Sequence, residues 1–190
     1  MTRSGRLFRD GVTTFALLGL IGLLALKMNN RPELVQTGSF YVVDGDTLAR
    51  DGDRLRLLGI DAPEYRQQCQ RGHVGWACGE EARKALERLM KTDAAECRGS
   101  EHDRYGRLLV TCRAGDVDIN GAMVRSGMAV SYGDYAAEEA AARQAKAGLW
   151  AGDFERPRDY RREEQVEHAR GNDPLAGLGD YLRRFVGWDR

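Results

Sequence analysis

Residues 40–64 read FYVVDGDTLARDGDRLRLLGIDAPE, and this stretch decides the reading of the chain. Phe40 to Val43 and Thr47 to Arg50 have the composition of short strands, separated by Asp44-Gly45-Asp46. Asp51-Gly52-Asp53 is a turn signal, and Arg54 to Ile60 follows as a buried strand. Asp61-Ala62-Pro63-Glu64 closes the stretch. Taken singly these acids have ordinary roles. Asp-Gly-Asp makes turns, and acids flanking a proline cap helices.

The acids gain meaning from a third motif, Asp103-Arg104-Tyr105-Gly106-Arg107. Carboxylates hold a hard cation, which prefers oxygen ligands. Arginines grip and neutralise phosphate oxygens through their planar donor forks. Together these residue types suit metal-assisted attack on a phosphodiester. In this order and spacing, the Asp46, Arg56-to-Glu64 and Asp103-to-Arg107 motifs resemble the staphylococcal nuclease (thermonuclease) family, over roughly Ser39 to Trp150.

Sequence pattern alone gives a small α+β protein. The resemblance implies a five-stranded barrel of the oligonucleotide-binding (OB) type with about three helices. It further implies that Asp46 and Asp61 ligate calcium, with the backbone carbonyl of Ala62 beside them. Glu64 would hold or activate the attacking water, while Arg56 and Arg107 bind the phosphate. Ala62 stands where the best-known members carry Thr, a change that keeps the carbonyl. Tyr105, Tyr132 and Tyr135 are candidates to stack on bases, the alternative being that they pack the barrel rim; Arg104 either meets a second phosphate or is a solvated charge. The expected protein is a monomeric, calcium-dependent nuclease acting on DNA or RNA, preferably single-stranded. The alternative is a non-catalytic OB module binding nucleic acid or protein, which would have lost the acid–arginine set.

Charge agrees with a local contact. The chain has no formal net charge, but residues 1–31 carry five basic side chains against Asp10, a net +4, leaving −4 elsewhere. That excludes the broad basic face of a duplex-DNA reader. A nucleophilic serine triad is also excluded, because no Gly-x-Ser-x-Gly occurs and His73, His102 and His168 lie in polar stretches.

The N-terminus sets an expectation about location. Arg3, Arg6 and Arg9 precede an uncharged run from Gly11 to Leu26. Ala25 to Asn30 is a poor signal-cleavage site, so residues 1–34 are expected to anchor the chain in a membrane with the following domain exported. Cleavage would instead give a secreted protein.

Four cysteines behind such a segment suggest disulfides, with three possible pairings. We expect Cys69–Cys78 and Cys97–Cys112. The flanks of Cys97 and Cys112 read as strands whose midpoint falls at Arg104 and Tyr105, so a hairpin tipped by Asp103-to-Arg107 would set the two cysteines side by side. A zinc site is disfavoured, because no C-x-x-C occurs and the histidines are not at ligand spacing.

The rest of the chain reads as follows. Arg66 to Trp76 is expected to be a polar loop, and Cys78 to Met90 a helix burying Ala82, Ala85, Leu86 and Leu89. Asp118 should cap a helix through Val124, and another helix should run from about Asp134 to Ala147. The nuclease-like domain is taken as residues 35–152. Residues 153–190 form a charged tail, with Glu155 to Arg170 a solvated arm or loose helix. Leu175, Leu178, Leu182, Phe185 and Val186 fall at helical spacing, which fits a short amphipathic helix on a membrane, a segment docked on the barrel or a disordered tail.

Overall fold

Alternation along two strands builds the core. Leu55 and Leu57 turn inward on one strand, and Leu108, Val110 and Cys112 on another, all between 0% and 5% exposed. Arg56 and Leu109, between them, face the other way. This period of two is what a sheet buried on one face requires.

The computed structural model describes residues 3–29, 32–91 and 95–171. In chain order its elements are α1 (Arg3–Asn29), β1 (Leu34–Thr37), β2 (Tyr41–Val42), β3 (Thr47–Arg50), β4 (Asp53–Leu57) and β5 (Ile60–Asp61). Then come β6 (Cys69–Arg71), β7 (Val74–Trp76), α2 (Cys78–Met90), β8 (Ala95–His102), β9 (Leu108–Ala114) and β10 (Val117–Asp118). The chain continues through α3 (Ile119–Arg125), β11 (Val130–Ser131), α4 (Ala136–Gln144), a 3-10 turn (Gly148–Ala151) and α5 (Pro157–Gly171).

The main sheet runs in the order β1-β8-β9-β4-β3-β2, with β10 added to β9. Its pairings are antiparallel except β4 with β9, which run parallel and set Arg56 beside Leu109. The expected five-stranded barrel is thus a curled, open sheet. Its strands are split by the Asp44-to-Asp46 turn and by a bulge between Arg98 and Glu101.

Helices α2 and α3 cover the concave face. Ala82, Ala85, Leu86 and Met90 from α2 and Ile119, Met123 and Val124 from α3 join Leu48, Leu55, Leu57 and Val110 in one cluster. Each large aliphatic side chain buried there contributes about 1.5–3 kcal/mol. Asp118 caps α3 as its sequence suggests, its side chain accepting from the Gly121 N–H at 3.1 Å.

Four expectations are corrected. The strand expected over Arg54 to Ile60 breaks at Leu58-Gly59, where Gly59 takes φ 77°, a conformation that suits glycine. The turn re-aims the chain, so that Ile60–Asp61 pairs with Val130–Ser131 in a separate small sheet. The expected loop Arg66–Trp76 contains the β6/β7 hairpin, closed next to the Cys69–Cys78 disulfide. Helix α4 begins at Ala136, two residues later than expected, because Tyr135 adopts a left-handed φ of 64°. Finally, the charged arm after Glu155 is an ordered helix, α5, that docks on the domain.

At the N-terminus, α1 spans the uncharged run. Among the described residues, no helix is long and apolar enough to cross a membrane. The amphipathic pattern of Leu175 to Val186 lies outside the described residues.

Candidate active site

The turn Asp44-Gly45-Asp46 places the first acid. Asp44 Oδ1 accepts from the Asp46 N–H at 3.0 Å, and Val43 N–H donates to the Thr47 carbonyl at 2.9 Å. A Cβ on Gly45 would lie 2.7 Å from the Ala62 Cβ and 2.8 Å from the Ala82 Cβ. Only glycine lets this turn press against both the 61–64 segment and α2.

Asp46 is consequently buried, at 3% exposure. Its Oδ1 accepts from Arg56 Nη1 at 2.7 Å and from the Thr47 hydroxyl at 3.0 Å. Its Oδ2 accepts from the Ala62 N–H at 3.0 Å. Burial pushes the Asp46 carboxyl up to about 7, with the Arg56 guanidinium opposing.

Arg56 is shared. Its second nitrogen, Nη2, donates to Asp61 Oδ1 at 2.7 Å. Asp61 in turn accepts from Arg161 Nη2 through both oxygens, at 2.9 and 3.0 Å, and Arg161 Nη1 reaches Glu64 Oε1 at 2.8 Å. The side chains form an alternating line: Asp46, Arg56, Asp61, Arg161, Glu64. Burial works against the charge of Arg161, but its bonds to Glu64 and Asp61 outweigh it and raise its pKa.

The segment carrying Glu64 is itself fastened. Gln67, 1% exposed, accepts the Glu64 N–H at 3.2 Å, and its Nε2 donates to the Glu155 carbonyl at 2.7 Å. Asn120, fully buried, donates through Nδ2 to the Leu58 and Val110 carbonyls and accepts the Cys112 N–H. It thereby ties the Leu58-Gly59 turn, which leads into Asp61, to β9.

These groups open onto a cleft of about 900 Å³. Arg56, Asp61 and Glu64 line it, as do Arg104, Tyr105 and Arg107 from the β8/β9 tip and Tyr132. Tyr105 and Tyr132 are exposed, at 64% and 67%. Arg104 and Arg107 both lie over the Tyr105 ring, 4.8 and 5.5 Å from its centroid. Tyr135 is the exception among the expected stacking residues. Its left-handed backbone turns the ring onto the core cluster, and its hydroxyl points at Asp118, 3.3 Å away.

Both expected disulfides are formed, Cys69–Cys78 and Cys97–Cys112. Cys97 and Cys112 are direct partners across the β8/β9 hairpin.

The acids Asp46, Asp61 and Glu64 offer oxygen donors of the kind that suits a hard divalent cation. As the side chains stand, no group of three or more His, Cys, Asp or Glu among the described residues is arranged to hold a metal. The Arg56 and Arg161 guanidiniums take up the carboxylate oxygens instead.

Arg161 and Gln67 were not apparent from the sequence. Arg161 lies 97 residues from Glu64 and 100 from Asp61, beyond the region carrying the motifs. One signal was present. Arg158, Arg161, Arg162 and Gln165 fall at helical spacing, and all four line the cleft.

The structure is thus a curled, open sheet of OB type that presents paired acids and arginines in one cleft. The chain matches the family described as Staphylococcal nuclease homologue over residues 54–152, and it belongs to that family. It is similar to the succinoglycan biosynthesis protein ExoI of Rhizobium meliloti, with 37% identity over 60% of this chain and 63% of that protein. It is also similar to a protein named an uncharacterized endonuclease in Escherichia coli O157:H7, with 34% identity over 58% of this chain and 73% of that one. A probable staphylococcal-like nuclease, CAN2, of Oryza sativa is 32% identical over 64% of this chain and 32% of its own length. The chain therefore spans less than two thirds of the first and third of these relatives.

Proposed function

We propose that this protein hydrolyses phosphodiester bonds of single-stranded DNA or RNA and depends on calcium. The observation that carries the reading is one cleft lined by Arg56, Asp61, Glu64 and Arg107, with buried Asp46 bound to Arg56 behind them. Arg56 and Arg107 would bind the scissile phosphate and offset charge as it grows in the transition state. Each such donor is typically worth ~10²–10³ in rate. Glu64, 32% exposed at its side chain, is placed to accept the proton of a water attacking phosphorus as the bond to the leaving oxygen breaks. When bound, a divalent cation supplies Lewis-acid polarisation of the phosphate and a lower pKa for bound water. Asp46, Asp61 and the Ala62 carbonyl would hold it. Tyr105 and Tyr132 offer stacking surfaces that an unpaired base can reach and a paired one cannot.

The protein would act as a monomer outside the cytosol, tethered through its N-terminal segment. Two disulfides support an oxidising compartment, and the basic flank before Gly11 supports a cytoplasmic N-terminus.

The deciding experiment is digestion of single-stranded DNA and RNA by the purified protein, in calcium and in excess chelator. Cleavage in calcium alone is expected. Equal cleavage in chelator removes the metal from the proposal, and no cleavage in either condition removes the nuclease.

A further inference from the structure

Helix α5 lies outside the matched family region, yet it delivers a guanidinium to the centre of the acidic site. Arg161 bonds both Asp61 oxygens at 2.9 and 3.0 Å and Glu64 Oε1 at 2.8 Å. Asp61 is 5% exposed, so water cannot readily take over those lone pairs. A guanidinium and a divalent cation compete for the same carboxylate oxygens, and their like charges repel at such short range. Removing Arg161 without a replacement would leave Asp61 to Arg56 and take the guanidinium from Glu64.

The attachment of α5 suits an exchange. The chain just before it is firmly held: Asp153 and Gln70 bond each other through their backbones, Gln67 holds the Glu155 carbonyl, and Phe154 packs edge-on against Trp150. Pro157 is buried, but it is the only buried side chain described in α5, and residues 162–169 are exposed. Beyond the anchor, Arg161 provides a polar hold of the helix on the domain. The Arg161 contacts of α5 are thus with the groups that a metal would claim, while residues 162–169 of the helix are already exposed.

We propose that Arg161 is a built-in counter-cation that a divalent ion must displace, so that α5 is clamped over the metal-free site and released when the carboxylates take the ion. This rests on the calcium reading above. It assigns Arg161 no part in bond cleavage. Its roles are to bridge the Asp61 and Glu64 carboxylates before metal arrives and to set the concentration at which metal wins.

The test is calcium titration of the full-length protein by calorimetry, paired with tryptic mapping of α5 with and without calcium. Arg161→Ala should bind calcium at least tenfold more tightly than wild type, and Arg156→Ala, altering an exposed arginine outside the cleft, should match wild type. In wild type, calcium should accelerate cleavage within residues 158–170; in Arg161→Ala, that cleavage should be fast without calcium. If circular dichroism shows that Arg161→Ala does not fold, Arg161→Gln takes its place. Equal or weaker calcium binding by the variant overturns the proposal while leaving the calcium site standing. So does calcium binding that leaves the α5 cleavage rate of wild type unchanged. No calcium binding by either protein overturns the proposal and the calcium reading together.

Discussion

Arg107 is folded back on Asp103. Its Nη2 and Nε donate to Asp103 Oδ2 at 2.7 and 2.8 Å, while its own backbone N–H donates to Oδ1 at 2.9 Å. The Tyr105 N–H adds a fourth bond, also 2.9 Å, to the same carboxylate. One acid therefore sets both the shape of the β8/β9 tip and the resting direction of a cleft arginine.

That carboxylate has an acid signature. Partial burial opposes its charge, but the bonds from Arg107 and Tyr105 outweigh this and hold its pKa below the ordinary value. A carboxylate lowered in the folded state adds stability above its unfolded pKa of about 4 and loses it as pH falls through the folded value. Melting temperature should fall more steeply between roughly pH 5 and pH 3 in wild type than in Asp103→Asn. Parallel curves from calorimetry would show that the tip does not depend on this charge.

Arg56→Ala should damage both fold and turnover. Asp61 would keep Arg161, but Asp46 would lose its guanidinium while buried. Breaking a buried pair from one side costs about 3–5 kcal/mol. Cleavage should fall by ~10²–10³ if Arg56 also stabilises the transition state. Urea denaturation and single-turnover kinetics separate the two effects. A variant of wild-type stability would contradict the buried pair.

Gly79→Ala tests how Glu64 is positioned. A Cβ at residue 79 would lie 1.8 Å from the Glu64 carbonyl oxygen and 2.7 Å from that of Tyr65. Both are backbone atoms, so the 64–65 segment must shift. We expect a loss of about 1–3 kcal/mol from overpacking and reduced turnover with little change in substrate binding. Full activity would mean that the Glu64 segment is not fixed by α2.

The Cys97–Cys112 bridge closes a separation of 15 residues, for which chain entropy gives about 3 kcal/mol. Both cysteines are fully buried, so reductant should act slowly on the folded protein. Reduction after unfolding should lower the melting temperature of the refolded protein, and replacing both cysteines with Ala should do the same. A double variant that melts with wild type would leave the bridge without a stabilising role.

What could be read from the sequence was local. Asp46, Arg56, Asp61 and Glu64 lie within one turn–strand–turn, and the hairpin symmetry about Arg104 and Tyr105 paired Cys97 with Cys112. Contacts that fix the site from afar left no local trace. Asn120 holds the Leu58 carbonyl across 62 residues, and Gln67 holds that of Glu155 across 88. Either residue would pass for an ordinary polar side chain in its own segment. Tyr135 is a stacking candidate in the sequence because any aromatic ring can stack on a base. Its direction depends on a left-handed backbone angle that the residue type does not announce.

The reach of Arg161 bears on where this protein can be cut. A fragment trimmed to residues 54–152, the matched span, would retain Arg56, Asp61, Glu64 and Arg107. It would lose Asp46 and all of β3, the hydrogen-bonded neighbour of β4, baring a strand edge of the kind that recruits other chains. It would also lose α5, and with it the partner shared by Asp61 and Glu64. Silence from such a fragment in a cleavage assay would report the scissors rather than the chemistry.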